Sequence, residues 1–501
     1  MNDSRTKKSI VNILFNIANQ LLSFLISFVT RTVFIRVFAD KYLGLNAVFA
    51  DVLSLLTVAD LGIGTAMSYS FYRPLAEGDQ RKLAALTGFY RKLYHWIALV
   101  IGASGLCVVP FLPLLVNTEI GTGELTVYYL FSLFKSVISY LYVSRTTILT
   151  ADQKHYMING IGIAASLLRM VFQMAAMLWY GSYAGYLLID AVSVLLNNAA
   201  ASRVAARKYP FLRQRENLAK EDAREIFRNI KAVFLHKLSA LSMNATDNIL
   251  ISTIVSTSAA GLYSNYMLIH SKLSGMIGLL FTSLTASVGN LIVKEGSRRR
   301  YDVFRCTQAI SFGICAVAVP CYVTLVNDFI SIWLGESYLL SGSVVYAMGA
   351  NLYLVCILYP LWSYREAVGL YSRIQWAMAA CAVINVFLSI LLGLWLGTAG
   401  ILIASSVARL STYVWYEPRL LFWEYFDENP RSYYEKIGRS AALTAGLTLC
   451  LDWFSRTFPA ASWGAWFLKA VLIGSACLLA VGAVYGPSDD LSPLWSKLRR
   501  H

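Results

Sequence analysis

The sequence has few charged residues, and few of those are acidic. Only 14% of its 501 residues are charged, against roughly 25% in soluble domains. Asp and Glu together number 28, whereas Lys and Arg number 43. Hydrophobic residues make up 57% of the chain, and they gather in runs close to the ~20 residues that cross a bilayer as a helix. We therefore predict an all-α polytopic membrane protein.

The sequence also lacks the motifs of several classes of protein. Its eight cysteines include no CxxC pair and nearly all fall in apolar runs, so we interpret them as small buried side chains and expect no metal site or disulfide framework. There is no GxxxxGK[ST] loop, which argues against ATP hydrolysis by the chain itself. The basic amino terminus leads into a long apolar run without a small-residue cleavage site, so we predict a retained first helix.

The apolar runs predict fourteen transmembrane helices. Their predicted spans are 10–37, 43–72, 93–116, 125–149, 157–180, 183–206, 229–256, 258–293, 304–327, 339–364, 371–396, 398–418, 437–456 and 463–486.

The positions of Lys and Arg agree with these spans and predict an orientation. With a cytoplasmic amino terminus, thirty-three of the basic residues fall in inner segments or the adjoining ends of spans, and three, Arg36, Lys41 and Arg456, fall on the outer side in the same way. Cytoplasmic loops carry such an excess of positive charge. We therefore predict a cell-membrane protein with both termini in the cytoplasm. The basic residues form no single stripe with interleaved aromatics, so we expect no nucleic-acid partner.

A weak internal repeat predicts two similar halves. Gly44-Leu45 aligns with Gly261-Leu262, and the EG loop at Glu77 aligns with the one at Glu295, at nearly the same offset. Each copy has a helix, an outer hairpin (placed at Gly44 in the first), a second helix and a basic inner loop. The copies share one orientation, which predicts parallel repeats of six spans. The predicted regions are an N-lobe (1–206), a cytoplasmic linker (207–228), a C-lobe (229–424) and two further helices with a tail (425–501).

Seven cations lie well inside the predicted spans, away from their ends, against four acids in such positions. The cations are Arg31, Lys135, Arg169, Lys237, Lys272, Arg409 and Lys469, and the acids are Asp51, Asp60, Asp190 and Asp247. Charged side chains at the centre of a bilayer cost ~2.5–3.5 kcal/mol each on insertion scales, so they face a partner or a wet cavity. The cationic surplus predicts a central cavity between the lobes that binds a phosphate-bearing substrate, with Arg as a bidentate donor and Lys as a point charge.

From this surplus we select candidate site residues. The predicted substrate-binding residues are Arg31, Lys135, Lys237, Lys272 and His270, and the predicted ion-pair or coupling residues are Asp51, Asp60 and Asp247. A structural pair of Arg31 with Asp51 or Asp247 is the alternative for those residues. Arg169 and Arg409 are weaker candidates that would pair or snorkel, and Lys469, on an appended helix, is expected to be structural.

Several stretches resemble bacterial polysaccharide flippases. They are TRTVFIRVFADKYLGLNAVF, LTVADLGIGTAMSYSFYRPLAEGD, LTGFYRKLY, ATDNILIS and TADQKHY. The similarity is greatest to the Wzx-type transporters of capsule and exopolysaccharide loci, in the multidrug/oligosaccharidyl-lipid/polysaccharide exporter superfamily. It covers essentially the whole chain, and Arg31 and Asp247 best match motif residues of the family.

The resemblance implies fold, substrate and partners. It implies two six-helix lobes about a cationic cavity plus two C-terminal helices, and translocation of undecaprenyl-pyrophosphate-linked oligosaccharide by alternating access. Membrane lipids are then partners, and glycosyltransferases and a polymerase of the same pathway are candidate partners. We expect a monomer, no enzymatic activity and no cofactor, with H⁺ or Na⁺ as the candidate coupling ion.

Three other functions suit a polytopic membrane protein to different degrees. A multidrug antiporter of the same superfamily would need an acid-rich cavity, which the charge surplus opposes. A flippase for the lipid-linked peptidoglycan precursor shares fold and substrate class, and the sequence alone separates it poorly. A membrane glycosyltransferase or polymerase needs a catalytic acid at the lipid surface and usually a large outer loop, whereas the predicted outer loops are short.

Overall fold

The computed structural model describes residues 2–60, 63–152, 154–214, 216–224, 226–227, 246–282, 284–368 and 370–491. Within these ranges the chain is helical, with short connections and no strand. Contacts divide it into two compact units, Met1–Gly261 and Leu262–His501. We describe each unit by itself.

The first unit contains nine helices in its described residues. They are α1 (Asn2–Leu56), α2 (Ile63–Glu77), α3 (Gln80–Val108), the short α4 (Leu112–Leu115), α5 (Thr122–Tyr140), α6 (Val143–Ala151), α7 (His155–Ala175), α8 (Tyr183–Lys208) and α9 (Asp247–Ile254).

The hairpin predicted at Gly44 is wrong, because helix α1 continues through it. Spans 10–37 and 43–72 were predicted as separate helices, whereas α1 is helical from Asn2 to Leu56. Glycine favours a turn because it lacks a Cβ. At position 44 the missing Cβ instead allows the backbone of Thr257 to come close to α1. A Cβ on Gly44 would lie 1.9 Å from the backbone oxygen of Thr257. In the second copy the predicted break exists, since α9 ends at Ile254 and the next helix begins at Thr257.

Helix α10, which begins the second unit, starts at the end of the first. The helices from there on are α10 (Thr257–Thr282), α11 (Thr285–Lys294), α12 (Ser297–Leu334), α13 (Gly342–Val368), α14 (Tyr371–Leu396), α15 (Thr398–Ser411), α16 (Tyr413–Leu421), α17 (Arg431–Arg456) and α18 (Trp463–Tyr485).

Seven helices in the described residues are long and apolar enough to cross a membrane, and an eighth is counted if α5 and α6 form one span bent by 52°. The chain is therefore a multi-pass membrane protein. Span 371–396 coincides with α14, whereas 398–418 is divided between α15 and α16. The number of fourteen spans stays a prediction, as do the predicted lobe boundaries.

The last two helices are fixed to α12 by polar contacts among apolar side chains. Lys469 of α18 donates to Asp328 at 2.6 Å and to the Ser455 carbonyl at 2.9 Å. The Trp466 indole donates to the Leu325 carbonyl at 3.1 Å. Because the Lys469 ammonium is matched by a carboxylate, its burial is compensated. This agrees with the structural role predicted for Lys469.

Candidate functional site

Four helices of the first unit, α1, α5, α7 and α8, carry the charges that come together. The central group is Asp190 on α8. Its Oδ2 accepts from the Lys135 ammonium of α5 at 2.7 Å, and its Oδ1 accepts from the Arg169 guanidinium of α7 at 2.9 Å. Two cations therefore share one carboxylate, and this group keeps a positive charge. We call Lys135, Arg169 and Asp190 the cation cluster.

Arg31 adjoins the cation cluster through Tyr186. The Tyr186 hydroxyl lies within electrostatic range of Asp190, Arg169 and Arg31. Tyr186 is one turn before Asp190 on α8, so both side chains leave the same face of that helix. Arg31 is therefore a neighbour of the cation cluster on the Tyr186 side.

The cation cluster lies well inside the predicted membrane spans. Lys135 is thirteen residues from the start of α5 and Asp190 is seven from the start of α8, which correspond to roughly 20 and 10 Å along their helices. The Lys135 and Arg169 side chains are nevertheless 39% and 35% exposed, against 14% for Asp190. Charges that are exposed at membrane depth face water or a polar ligand rather than lipid tails. The cluster is therefore suited to an anion.

The three candidate acids lie in different surroundings. Asp51 Oδ2 accepts from the Asn248 backbone N–H at 3.2 Å and from its side-chain amide at 2.9 Å, so Asp51 pairs with Asn248 rather than with Arg31. Asp60 lies beside the hydroxyls of Tyr94 and Tyr140. Asp247 is the first residue of α9.

Two of the substrate-binding candidates of the C-lobe fall within the described residues. His270 and Lys272 both belong to α10. His270 is buried edge-on against Tyr322, with ring centroids 5.7 Å apart, a packed position that favours a structural role. Lys272 makes no ion pair within the described part of the chain. Lys237 lies outside the described residues.

The sequence analysis gave Arg169 as a weaker candidate and did not include Asp190 among the candidate site residues. Both were among the charges left inside spans, but only the packing of α7 against α8 shows that they meet. The signal in the sequence was the periodicity: Tyr183, Tyr186 and Asp190 recur at helical spacing on α8, and Tyr128 and Lys135 are two turns apart on α5.

A buried ion pair in the second unit also escaped the sequence analysis. Arg365 at the end of α13 donates to Glu417 of α16, and their side chains are 7% and 0% exposed. Arg365 is one of the thirty-three basic residues counted on the cytoplasmic side. Such a count follows positions along the chain and does not show which side chains are buried. The guanidinium also lies over the Trp362 ring. This pair joins two helices, and we assign it to packing.

The structure resembles those of known transporters. One match is to a solved structure described as lipid II flippase MurJ in an inward closed conformation, with a TM-score of 0.69 and 16% identity, covering 94% of this chain and 98% of that one. Another is to an inward-facing multidrug resistance MATE transporter of the MOP superfamily, with a TM-score of 0.64 and 14% identity, covering 79% and 93%.

A third match is to the MATE multidrug transporter DinF-BH, with a TM-score of 0.59 and 14% identity, covering 82% of this chain and 95% of that one. At such identities the matches show the fold, which is the one that these solved transporters have. No curated protein sequence matches the chain.

A family model described as "Polysaccharide biosynthesis protein" matches residues 85–342. This range is slightly more than half of the chain, and it contains the whole cation cluster. The chain therefore belongs to this polysaccharide biosynthesis family and has the fold of the flippases and exporters of the MOP superfamily.

Proposed function

We propose that the protein is a flippase that moves undecaprenyl-pyrophosphate-linked oligosaccharide from the inner to the outer leaflet of the bacterial cell membrane, for capsule or exopolysaccharide synthesis. The observation that carries the proposal is the cation cluster: Lys135 and Arg169 share the single carboxylate of Asp190, with Arg31 nearby. The family match to polysaccharide biosynthesis supports the substrate class.

The chemistry of the substrate explains why such a cluster is useful. A pyrophosphate joined to a sugar chain does not cross ~30 Å of hydrocarbon unaided. Arg169 offers a planar fork of donors to phosphate oxygens, and Lys135 offers a compact point charge. In the resting protein Asp190 holds both side chains in place and limits the uncompensated charge. When the pyrophosphate arrives, it supplies the anion that the second cation lacks.

Transport then requires that the site be reached from each leaflet in turn. In this proposal the sugar and pyrophosphate occupy the polar interior while the polyprenyl tail stays in lipid, and alternating access moves the headgroup across. Both termini are cytoplasmic in this proposal, and the protein works as a monomer. H⁺ or Na⁺ is the coupling ion, with Asp51, Asp60 and Asp247 as the acids that would respond to it. Substrate binding by Lys237 and Lys272 stays a prediction from the sequence, and His270, packed against Tyr322, is left out of the proposed site.

The test is transport in vesicles. Purified protein in liposomes is given fluorescent undecaprenyl-pyrophosphate-linked oligosaccharide, and delivery to the outer leaflet is followed with an impermeant enzyme that cleaves the pyrophosphate. Lys135→Gln and Arg169→Gln each remove a charge-assisted hydrogen bond, worth about 1.5–3 kcal/mol. Each variant should therefore transport the lipid about tenfold or more slowly than the wild type. Arg431→Gln is the matched control, since the Arg431 side chain is 85% exposed on α17. Wild-type rates in both cluster variants would refute the assigned role.

The same vesicles separate the alternatives. Export of a lipophilic organic cation without transport of the lipid-linked oligosaccharide would establish a multidrug antiporter, which the net positive cluster opposes. A preference for the lipid-linked peptidoglycan precursor over lipid-linked polysaccharide repeat units would assign the protein to cell-wall synthesis. The match to the MurJ structure is a likeness of fold and does not choose between these two substrates.

A further inference from the structure

Six aromatic rings from helices α1, α5 and α8 pack together. We call them the ring cluster; its members are Phe34, Phe38, Tyr42, Tyr128, Tyr183 and Tyr186. Tyr183 is at the centre, with its ring centroid 4.7 Å from Tyr42 and 4.8 Å from Tyr128. It is stacked on Tyr186 at 6.1 Å. Tyr42, Tyr128 and Tyr186 are half-buried, so part of each of their side chains is accessible.

The ring cluster continues the cation cluster along the same helix faces. On α8, Tyr183 precedes Asp190 by seven residues and Tyr186 precedes it by four, and on α5 Tyr128 precedes Lys135 by seven. Such intervals place side chains on one face of a helix. Seven residues correspond to about 10 Å, so a charged level is followed by an aromatic level toward the helix ends predicted to be outer.

Tyrosines at helix ends are commonly anchors at the membrane interface. Trp179 and Tyr180, at the same end of the first unit, fit that description because each is 80% exposed. The ring cluster differs, since its rings are turned toward one another. The buried Tyr183 hydroxyl donates to the Asn46 side-chain oxygen at 2.8 Å. An interface anchor requires no such packing.

We propose that the ring cluster binds the sugar next to the pyrophosphate of the transported lipid, an inference that rests on the proposed function. A sugar ring has an apolar C–H face that packs on an aromatic ring, and hydroxyls at its edge that pair with tyrosine hydroxyls. The order of the two levels, cations and then aromatics, is the order of pyrophosphate and sugar in the substrate. Tyr42 and Tyr128 are the rings that contact the sugar, and Tyr183 positions them.

The experiment compares two ligands that differ only in the sugar. Binding to the protein in nanodiscs is measured for undecaprenyl pyrophosphate and for undecaprenyl pyrophosphate carrying one N-acetylhexosamine. We expect the wild type to bind the sugar-bearing lipid about threefold to tenfold more tightly. Tyr42→Leu and Tyr128→Leu should each reduce that preference and leave binding of the sugar-free lipid unchanged. Lys135→Gln should weaken binding of both lipids equally.

Two further variants keep the result interpretable. Tyr128→Phe retains the ring and should retain most of the preference, even if the leucine variants fold poorly. Tyr180→Leu changes an exposed tyrosine outside the ring cluster and should leave both affinities unchanged. If Tyr128→Phe and the folded leucine variants all keep the full preference for the sugar-bearing lipid, the ring proposal is overturned. The effect of Lys135→Gln on both lipids would then still support the flippase. If Tyr180→Leu reduces the preference as much as Tyr42→Leu and Tyr128→Leu do, the ring proposal is also overturned, in favour of a role of these tyrosines at the membrane interface. If the wild type binds neither lipid, the proposed function fails and the ring proposal with it.

Discussion

Asp190 is the carboxylate that balances part of the positive charge of the cation cluster. It accepts hydrogen bonds from Lys135 and Arg169, which come from two different helices. The desolvation of these three groups is tolerated because opposite charges meet with good geometry. Substitutions of these residues show whether the pairing mainly stabilises the fold or mainly holds the cations in position to bind an anion.

Asp190→Asn should lower stability and increase the response to anions. The substitution leaves Lys135 and Arg169 without their carboxylate. Since both side chains are more than one-third exposed, we expect the free energy of unfolding to fall by about 1–2 kcal/mol. Breaking a fully buried pair typically costs about 3–5 kcal/mol. Thermal unfolding in detergent with and without added pyrophosphate measures both effects. In a double-mutant cycle, Lys135→Met should cost less in the Asp190→Asn background than in the wild type. Additive losses would show that the pair is not coupled.

A second residue-scale prediction concerns Asp152, in the turn between α6 and α7. Its carboxylate accepts from the Lys154 ammonium and the Tyr209 hydroxyl. Burial by itself raises the pKa of Asp152, but these hydrogen bonds outweigh it and the net pKa is lowered. Burial and the same carboxylate raise the pKa of Tyr209 to about 12, so that hydroxyl stays a donor at neutral pH.

The sign of the pH dependence follows from linkage. Because the folded pKa of Asp152 lies below the unfolded value of about 4, its stabilisation is fully present above pH 4 and is lost as pH falls through the folded pKa. The difference in unfolding temperature between wild type and Asp152→Asn should therefore be constant from pH 8 to 5 and shrink below 4. A difference that grows toward acidic pH would contradict this assignment.

At the scale of elements, the crossing of α1 with the start of α10 depends on two glycines. A Cβ on Gly44 would lie 1.9 Å from the Thr257 oxygen, and a Cβ on Gly261 would lie 2.3 Å from the Asp40 oxygen. These are backbone atoms, which cannot rotate away as a side chain would. The two glycines are those that the internal repeat aligns, so equivalent positions of the two copies meet.

Gly44→Ala and Gly261→Ala should each destabilise the protein, because α1 and α10 would have to move apart. Gly160→Ala in the interior of α7 is the control, since a Cβ there meets nothing within 4 Å and alanine favours a helix by roughly 0.5–1 kcal/mol. The control should raise the unfolding temperature while the two crossing variants lower it. A rise in all three would show that the crossing tolerates a methyl group.

At the scale of the whole molecule, the distribution of Lys and Arg sets the orientation in the membrane. Thirty-three of the basic residues fall in segments predicted to be cytoplasmic or in the adjoining ends of spans, and such a bias directs insertion. Alkaline phosphatase and green fluorescent protein fused to either terminus should give fluorescence without phosphatase activity in both cases. Phosphatase activity at one terminus would mean an odd number of spans, and at both it would mean inverted orientation.

The sequence by itself determined the class of protein, the approximate position of most helices and the presence of excess positive charge. These follow from composition and from the period of apolar residues, which are properties local to the chain. The tertiary structure decided which charges meet. It joined Lys135, Arg169 and Asp190 across three helices, paired Asp51 with Asn248, and replaced a hairpin at Gly44 by a helix. Such contacts link residues up to about 200 positions apart, and they depend on which helix faces pack together, which no local pattern specifies.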